Sequence, residues 1–490
     1  MRTVRVPVFL ALFLSGLGVA GAQTWTPLAN QPPFAAGNPL LLTDGTVIAH
    51  ATCAPEWWRL TPDSNGSYIN GTWSRIASLP DGYGPLYFAS AVLPDGRVIV
   101  EGGEYNFCQA VWTTRGAIYD PVADSWSSIA PPAGWSTIGD AQGIVLANGT
   151  FMLSNCCTTE TALFDSKQLT WTPTGAGKAD VNDEEGWTLL PNGHVLTVDA
   201  YVFSYDPAGT NSEIYDPLSG TWSSAGSTLV QLWDSYPSAS KASNELGPAV
   251  LRPDGTVFAT GANGGPNASG HTAIFDSHTG IWTAGPDFPS GLDIADGPAA
   301  LLPNGNVLVE TSPGIFKKGA NFFEWNGFSL SAVPGPAPAK NESSYIGNML
   351  VLPTGQILWT DLNGNAYIYS SSGSPNPAWA PRIQNGPAVT NISRGSTYRI
   401  AGFNFNGFSQ GAAYGDDAQA ATNYPLVRIT NHGTGHVFYA RTHDHSTMAV
   451  ASPELASTRY DVPAGMEAGL ADLVVVTNGI ASAPITVNVQ

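Results

Sequence analysis

The stretch Ala91-Val92-Leu93-Pro94-Asp95-Gly96-Arg97-Val98-Ile99-Val100 decides the architecture. Two apolar runs flank a Pro-Asp-Gly turn, so the chain runs out along one buried strand and back along a second. Asp-Gly suits a two-residue hairpin, whose central positions both need φ > 0. The same signature recurs at Thr43-Asp44-Gly45, Ala147-Asn148-Gly149, Pro191-Asn192-Gly193, Pro253-Asp254-Gly255, Pro303-Asn304-Gly305 and Pro353-Thr354-Gly355. The glycines are spaced by 51, 53, 44, 62, 50 and 50 residues.

A second signature lies between the hairpins. It reads Ile118-Tyr119-Asp120 then Trp126, Leu163-Phe164-Asp165 then Trp171, Ile214-Tyr215-Asp216 then Trp222, and Ile274-Phe275-Asp276 then Trp282. Two hairpins per period make four strands per unit. One such unit cannot bury both faces of its sheet, so successive units must pack around an axis. The sequence therefore predicts an all-β chain whose main body is a seven-bladed β-propeller, with the recurring Trp packed between blades. After Trp379 the phase stops. Tyr398–Phe405, Tyr424–Ile429, Val437–Arg441, Leu473–Val476 and Ile485–Val489 read as strands of a domain the size of an immunoglobulin-like β-sandwich. The expected division is a signal peptide over 1–22, a propeller over 23–379 and a sandwich over 381–490, with the linker near Ser371–Pro377.

Composition agrees with short strands and tight turns. The 490 residues include 54 Gly, 38 Pro and 15 Trp, and only 12% are charged, about half the usual share. Arg2 and Arg5 precede an apolar run from Val6 to Val19 and the small residues Ala20-Gly21-Ala22, the pattern of a secretory signal cleaved near Ala22. The expected location is secreted or periplasmic. No later run is apolar enough to read as a membrane span. Losing Arg2 and Arg5 would take the net charge from −19 to −21, which argues against nucleic acid as a partner. Cys53, Cys108, Cys156 and Cys157 form an even set in an exported chain, which favours disulfides. Of three connectivities, Cys53–Cys108 with Cys156–Cys157 is preferred, because Cys53 and Cys108 follow equivalent strands of neighbouring repeats.

These repeats, followed by a sandwich, resemble the kelch-repeat, galactose oxidase-like superfamily of copper radical oxidases. The resemblance covers Trp25–Trp379 for the kelch repeats and the C-terminal domain beyond. It implies a copper held by two tyrosines and two histidines, with a cysteine cross-linked to one tyrosine. Tyr87 matches the cross-linked tyrosine, Tyr345 the second, and His443 or His445 the histidine from the C-terminal domain. The preceding repeat reads Phe34-Ala35-Ala36-Gly37 where a cysteine is required, and Tyr345 is followed by Ile346 where a histidine is required. The copper radical site is accordingly expected to be incomplete.

The segments entering the innermost strands also carry Asp140, Asp183, Glu184, Glu185, Glu245, Asp293, Asp296 and Glu342. In a propeller these segments converge on one end of the central channel. Asp140, Glu184, Glu245, Asp296 and Glu342 are thus candidate ligand-binding residues, where crowded carboxylates would call for a divalent cation. The other reading is that they hydrogen-bond backbone amides in the blade-to-blade loops. His443-Asp444-His445 sets two imidazoles on one side of a strand and is the candidate metal pair. Trp57, Trp58, Trp135 and Trp233 are candidate rim aromatics or blade-packing residues. Two functions remain open: a non-catalytic module for a glycan or another cell-surface partner, and an oxidoreductase with altered metal ligands.

Overall fold

The computed structural model describes residues 23–202, 209–235, 242–262, 268–384, 390–416 and 419–490. The signal peptide expected over 1–22 lies outside them. Among the described residues seven antiparallel sheets form the blades of a propeller, six of four strands and one, the sixth blade, of four plus a strand from the C-terminal domain. Their innermost strands are Ala36–Leu41, Ala89–Val92, Gly143–Val145, Thr188–Leu189, Leu246–Leu251, Ala299–Leu301 and Gly347–Val351. Each innermost strand enters one of the seven hairpins, and each hairpin glycine has positive φ, from 76° at Gly45 to 87° at Gly149.

The turn differs from the two-residue form expected. In each hairpin the residue before the glycine keeps negative φ, and the glycine N–H donates to the carbonyl three residues back, as Gly96 does to Leu93 at 2.9 Å. That is a type I turn followed by a left-handed glycine, the three-residue hairpin that a proline at the second position favours. The Asp or Asn earns its place otherwise: its Oδ1 accepts from the N–H two residues on, as in Asp95 to Arg97 and Asn148 to Thr150, both 3.0 Å.

The recurring Trp sits on the outermost strand, directly across from the aromatic of the strand before it, as Trp126 does from Tyr119 and Trp171 from Phe164. In three blades its indole N–H reaches the preceding blade. Trp126 Nε1 donates to Ala77 O at 3.0 Å, Trp171 to Ala130 O at 2.8 Å, and Trp282 to Ser212 Oγ at 2.9 Å. Trp57 and Trp233 are fully buried and belong to this packing rather than to a rim. Trp58 stacks on Phe34 with ring centroids 5.1 Å apart. Trp135 is half-buried against the main core.

The ring closes with a strand from the other end of the propeller. Thr24–Pro27 pairs antiparallel with Tyr367–Ser370, the third strand of the seventh blade. Trp25 packs on Phe322 and Tyr369 and donates to Pro334 O at 2.6 Å.

The C-terminal strands form one curled, sandwich-like sheet around a separate core that includes Ile392, Phe405, Val427, Leu473 and Val487. The strand Val437–His443 turns the corner. Its first half pairs with Val427–Thr430 and its second half with Arg459–Asp461. This domain covers the hairpin end of the propeller: Thr442 N donates to Thr43 O, His445 N to Pro94 O and Met448 N to Ala147 O, at 2.9–3.0 Å.

Cys53 and Cys108 are disulfide-bonded, with Cα atoms 5.1 Å apart. Cys156 and Cys157 are free cysteines whose Sγ atoms lie 2.6 Å apart. Adjacent cysteines can bond only by distorting the peptide between them, which the expected pairing overlooked. Among the described residues no helix is long and apolar enough to cross a membrane.

Closure by Thr24–Pro27 makes a direct prediction. Trp25→Ala should lower the unfolding free energy by about 2 kcal/mol, a half-buried indole being lost from the seam. Deleting Thr24–Pro27 should cost more and promote association through the exposed strand Ala366–Ser370. Denaturant titration and light scattering report both effects.

Candidate functional site

The end of the channel opposite the hairpins opens into a cavity of about 400 Å³. It is lined by Tyr87, Glu104, Tyr105, Asp140, Glu184, Glu245, Asp296, Phe316, Tyr345 and Asp416. Six carboxyl groups and four aromatic rings share this space, with no basic side chain, imidazole or thiol among them.

The repeat explains much of this convergence. Tyr87, Asp140, Glu184 and Asp296 each lie nine residues before the hairpin glycine of their own blade, so they occupy equivalent places around the axis. Tyr87, Glu184 and Asp296 have left-handed backbone, with φ of 51°, 58° and 49°. That conformation is uncommon for such residues and characteristic of functional loops.

Three elements that complete the cavity had no signature in the repeat. Glu104 and Tyr105 sit on an insertion in the second blade, where Tyr105–Asn106 pairs with Pro85–Leu86. The Cys53–Cys108 bridge ties this insertion to the first blade. Phe316 follows the second strand of the sixth blade and packs edge-on against Tyr345, with centroids 5.2 Å apart. Asp416 comes from the C-terminal domain. A finger of that domain enters the propeller, where Ala412–Ala413 adds a strand beside Ala299–Ala300 and Tyr414 Oη donates to Tyr345 O. The Tyr414 ring lies nearly parallel to Tyr87 at 6.5 Å. The approach is close enough that a Cβ on Gly186 would fall 2.2 Å from Gly415 O. A pair of small apolar residues followed by Tyr414-Gly415-Asp416 is the signal that could have marked the finger.

The other acids disperse. Glu342 does not line the cavity, and its carbonyl accepts from Gly319 and Ala320. Asp183 lies 3.7 Å from Cys156 Sγ. Glu185 does not line the cavity with its neighbour Glu184, whose left-handed backbone turns the chain between them. It forms a buried ion cluster in which Lys178 Nζ is 2.9 Å from Glu185 and 2.6 Å from Glu213. Asp293 is buried and pairs through its backbone with Ser312.

His443 and His445 are not at the cavity. His445 lies at the hairpin end beside Pro94 and Asp95, whereas Tyr87 precedes the same strand at its other end. Seven residues of near-extended chain separate those ends by roughly 20 Å. His443 Nδ1 and Nε2 face Asp444 and Asp461 at 3.1 and 3.2 Å. His445 Nδ1 pairs with Thr458 Oγ1 at 2.9 Å, and its ring stacks on Tyr424. The alternation expected to put both on one metal instead gives each its own partners.

Within the cavity, oxygens of Glu184, Glu245 and Asp296 lie within 4.8 Å of one another, as do those of Asp140, Glu184 and Asp416. Burial raises Glu184, Glu245 and Asp296 well above the usual carboxylate range. The charges of neighbouring acids push the same way: Asp416 and Asp296 on Glu184, Asp296 on Glu245, and Asp416 on Asp296.

A scan against protein-family models finds no match to the chain. A search of the curated proteins finds none either. Among solved structures, the chain is similar to a novel fungal alcohol oxidase of the AA5 family, solved in complex with copper. That match has 14% identity over 96% of this chain and 100% of that one, with a TM-score of 0.50. It is also similar to the extracellular domain of a hybrid two-component system from B. thetaiotaomicron, at 10% identity over 96% of this chain and 59% of that one, TM-score 0.47. A streptogramin B lyase matches at 9% identity over 72% and 98%, TM-score 0.47. At 14% identity the likeness to the oxidase shows the fold alone.

The raised carboxyls set a pH dependence. Between the ordinary carboxylate value and the raised one, the folded state binds more protons than the unfolded, so their contribution to stability falls as pH rises. Glu245→Gln removes one such penalty. In metal-free buffer the variant should melt above the unmodified protein at pH 8, and the gap should close toward pH 4. Buried His50 and His445, lowered to about 4 and about 3 mainly by desolvation, act in the opposite sense below about pH 6.5. Comparing the two proteins at each pH cancels them.

Proposed function

We propose that the protein is an extracytoplasmic binding module that holds a polyhydroxylated ligand, a glycan, in the mouth of the propeller channel. The carrying observation is the cavity itself, where Tyr87, Tyr105, Tyr345 and Phe316 stand beside six carboxyl groups and, among the described residues, no basic one. Sugar rings lay their C–H faces on aromatic rings, and their hydroxyls donate to carboxyl oxygens. An anionic ligand would be repelled. Export through a signal peptide at 1–22 goes with the disulfide Cys53–Cys108, since such bridges persist in oxidising compartments. On this reading residues 23–379 are the kelch-type propeller and 381–490 the immunoglobulin-like domain.

The alternative, an oxidoreductase with altered ligands, draws on one observation: Tyr87 and Tyr345 face the same cavity. The donor set does not fit a copper radical centre. Redox copper of that kind is held by imidazole as well as phenolate, and the lining offers carboxylates where imidazoles are required. Asp416 is what the C-terminal domain contributes, and Ala35-Ala36 supplies no thiol.

Glycan-array screening followed by calorimetry tests the binding reading. A saccharide ligand should appear, and Tyr345→Ala should weaken it at least tenfold with the fold intact. Finding no saccharide ligand, or an unchanged affinity in the variant, refutes it. Incubation with copper and primary alcohols should release no hydrogen peroxide. Peroxide release would move the oxidase to first place.

A further inference from the structure

We infer that Glu184, Glu245 and Asp296 bind a hard divalent cation of the Ca²⁺ class on the propeller axis. The three side chains come from neighbouring blades, the fourth, fifth and sixth, at the entrances to Thr188–Leu189, Leu246–Leu251 and Ala299–Leu301. Their oxygens lie within 4.8 Å of one another. Ligand oxygens around a Ca²⁺, each about 2.4 Å from the ion, can be at most about 5 Å apart, so one ion can touch all three without moving the backbone. The donors are all oxygen, the set that Ca²⁺, Mg²⁺ and Mn²⁺ prefer over softer metals.

A separate observation points to a missing partner. Glu245 is only 9% exposed, and its Oε2 has no hydrogen-bond donor. A buried carboxylate oxygen without a donor is costly. The groups facing Glu245 are the Glu184 and Asp296 carboxyls, which offer no donor unless they carry a proton. A cation, a shared proton or a water can supply what that oxygen lacks, and of these only a cation also offsets the charge of all three carboxylates. Glu184 also belongs to the group with Asp140 and Asp416, so further carboxylates border the ion and raise its affinity. Among the described residues no lysine or arginine lines the cavity to take its place. Lys178, the nearby buried ammonium, is engaged by Glu185 and Glu213.

The inference stands apart from the glycan reading, because it is tested with no saccharide present and either can fail alone. The purified protein is stripped with chelator and titrated with CaCl₂ at pH 7.5. Saturable heat and a saturable rise in melting temperature are expected. Glu245→Gln and Asp296→Asn should each weaken the dissociation constant at least tenfold, and Asp120→Asn, on the outer part of the second blade, should leave it unchanged. Terbium luminescence sensitised by tyrosine and displaced by Ca²⁺ gives the same answer on the unmodified protein, should either variant fail to fold. The inference is overturned if Ca²⁺, Mg²⁺ and Mn²⁺ all fail to bind saturably, or if both folded variants bind as the unmodified protein does. Shared protons would then be what holds the three carboxyls together.

Discussion

Everything at the channel mouth depends on four backbone-paired residues far away in sequence. Thr24–Pro27 supplies the outer strand of a blade whose other strands come from Gly347–Ser370. Without that pairing the seventh blade has an open edge, and the first and seventh blades are left with only their inner contacts, such as Asn38 N–H donating to Asn348 Oδ1 at 3.0 Å. A ring, unlike an open stack, fixes the distance from each blade to every other. The entrances to the innermost strands then have to meet at one point. Tryptophan N–H bonds tie three pairs of successive blades together. The N-terminal strand adds the pairing that covers the outer edge of the last blade.

This constraint explains why the fold was legible and the site only half so. A hairpin needs its glycine and its capping Asp or Asn at a fixed offset, and seven copies at a period near 50 residues leave little room for another architecture. The same offset places Tyr87, Asp140, Glu184 and Asp296, which is why the carboxylates of the pre-strand segments could be picked out at all. What the period does not encode is what enters the ring from outside it. Glu104 and Tyr105 ride on an insertion present in one blade, and Asp416 on a finger of another domain. Neither has a repeated counterpart from which to predict it. Residue type misled in the opposite direction. Histidines attract attention as ligands, yet His443 and His445 lie at the far end of the strand that begins after Tyr87, paired with Asp461 and Thr458. Glu342 shares the sequence position of the cavity acids only loosely, and a short turn carries it out of the lining.

The two buried acidic groups on either side of Glu184-Glu185 show how little separates a structural cluster from a chemical one. Glu185 is buried with Lys178, whose single ammonium is shared by Glu185, Glu213 and Asp199, so the charge is partly compensated within the protein. Glu184, one residue earlier and on the other side of the backbone, meets only carboxyls. Both clusters are desolvated, and burial pushes both glutamates up. They differ in whether the countercharge is covalently part of the chain. An ammonium fixed in place supplies part of the countercharge, whereas a cluster without one that opens onto a cavity has to take its positive charge from solution, as protons or as a cation.

The finger from the C-terminal domain gives that difference a structural basis. By adding Ala412–Ala413 to the innermost strand Ala299–Leu301, it uses a backbone edge that faces the channel and would otherwise be unpaired. The hydrogen bonds anchor the finger, and small side chains let it pass: Gly186 against Gly415, and Gly415 against Asp296. Its tip then delivers a further acid, Asp416, to a cavity already lined with acids. Adding negative charge to an already crowded site destabilises the empty cavity, so the anchoring of the finger has to outweigh that repulsion. Carrying Asp416 into the lining adds a carboxyl group where positive charge or hydroxyl donors are favoured, and it makes the second domain part of the cavity wall.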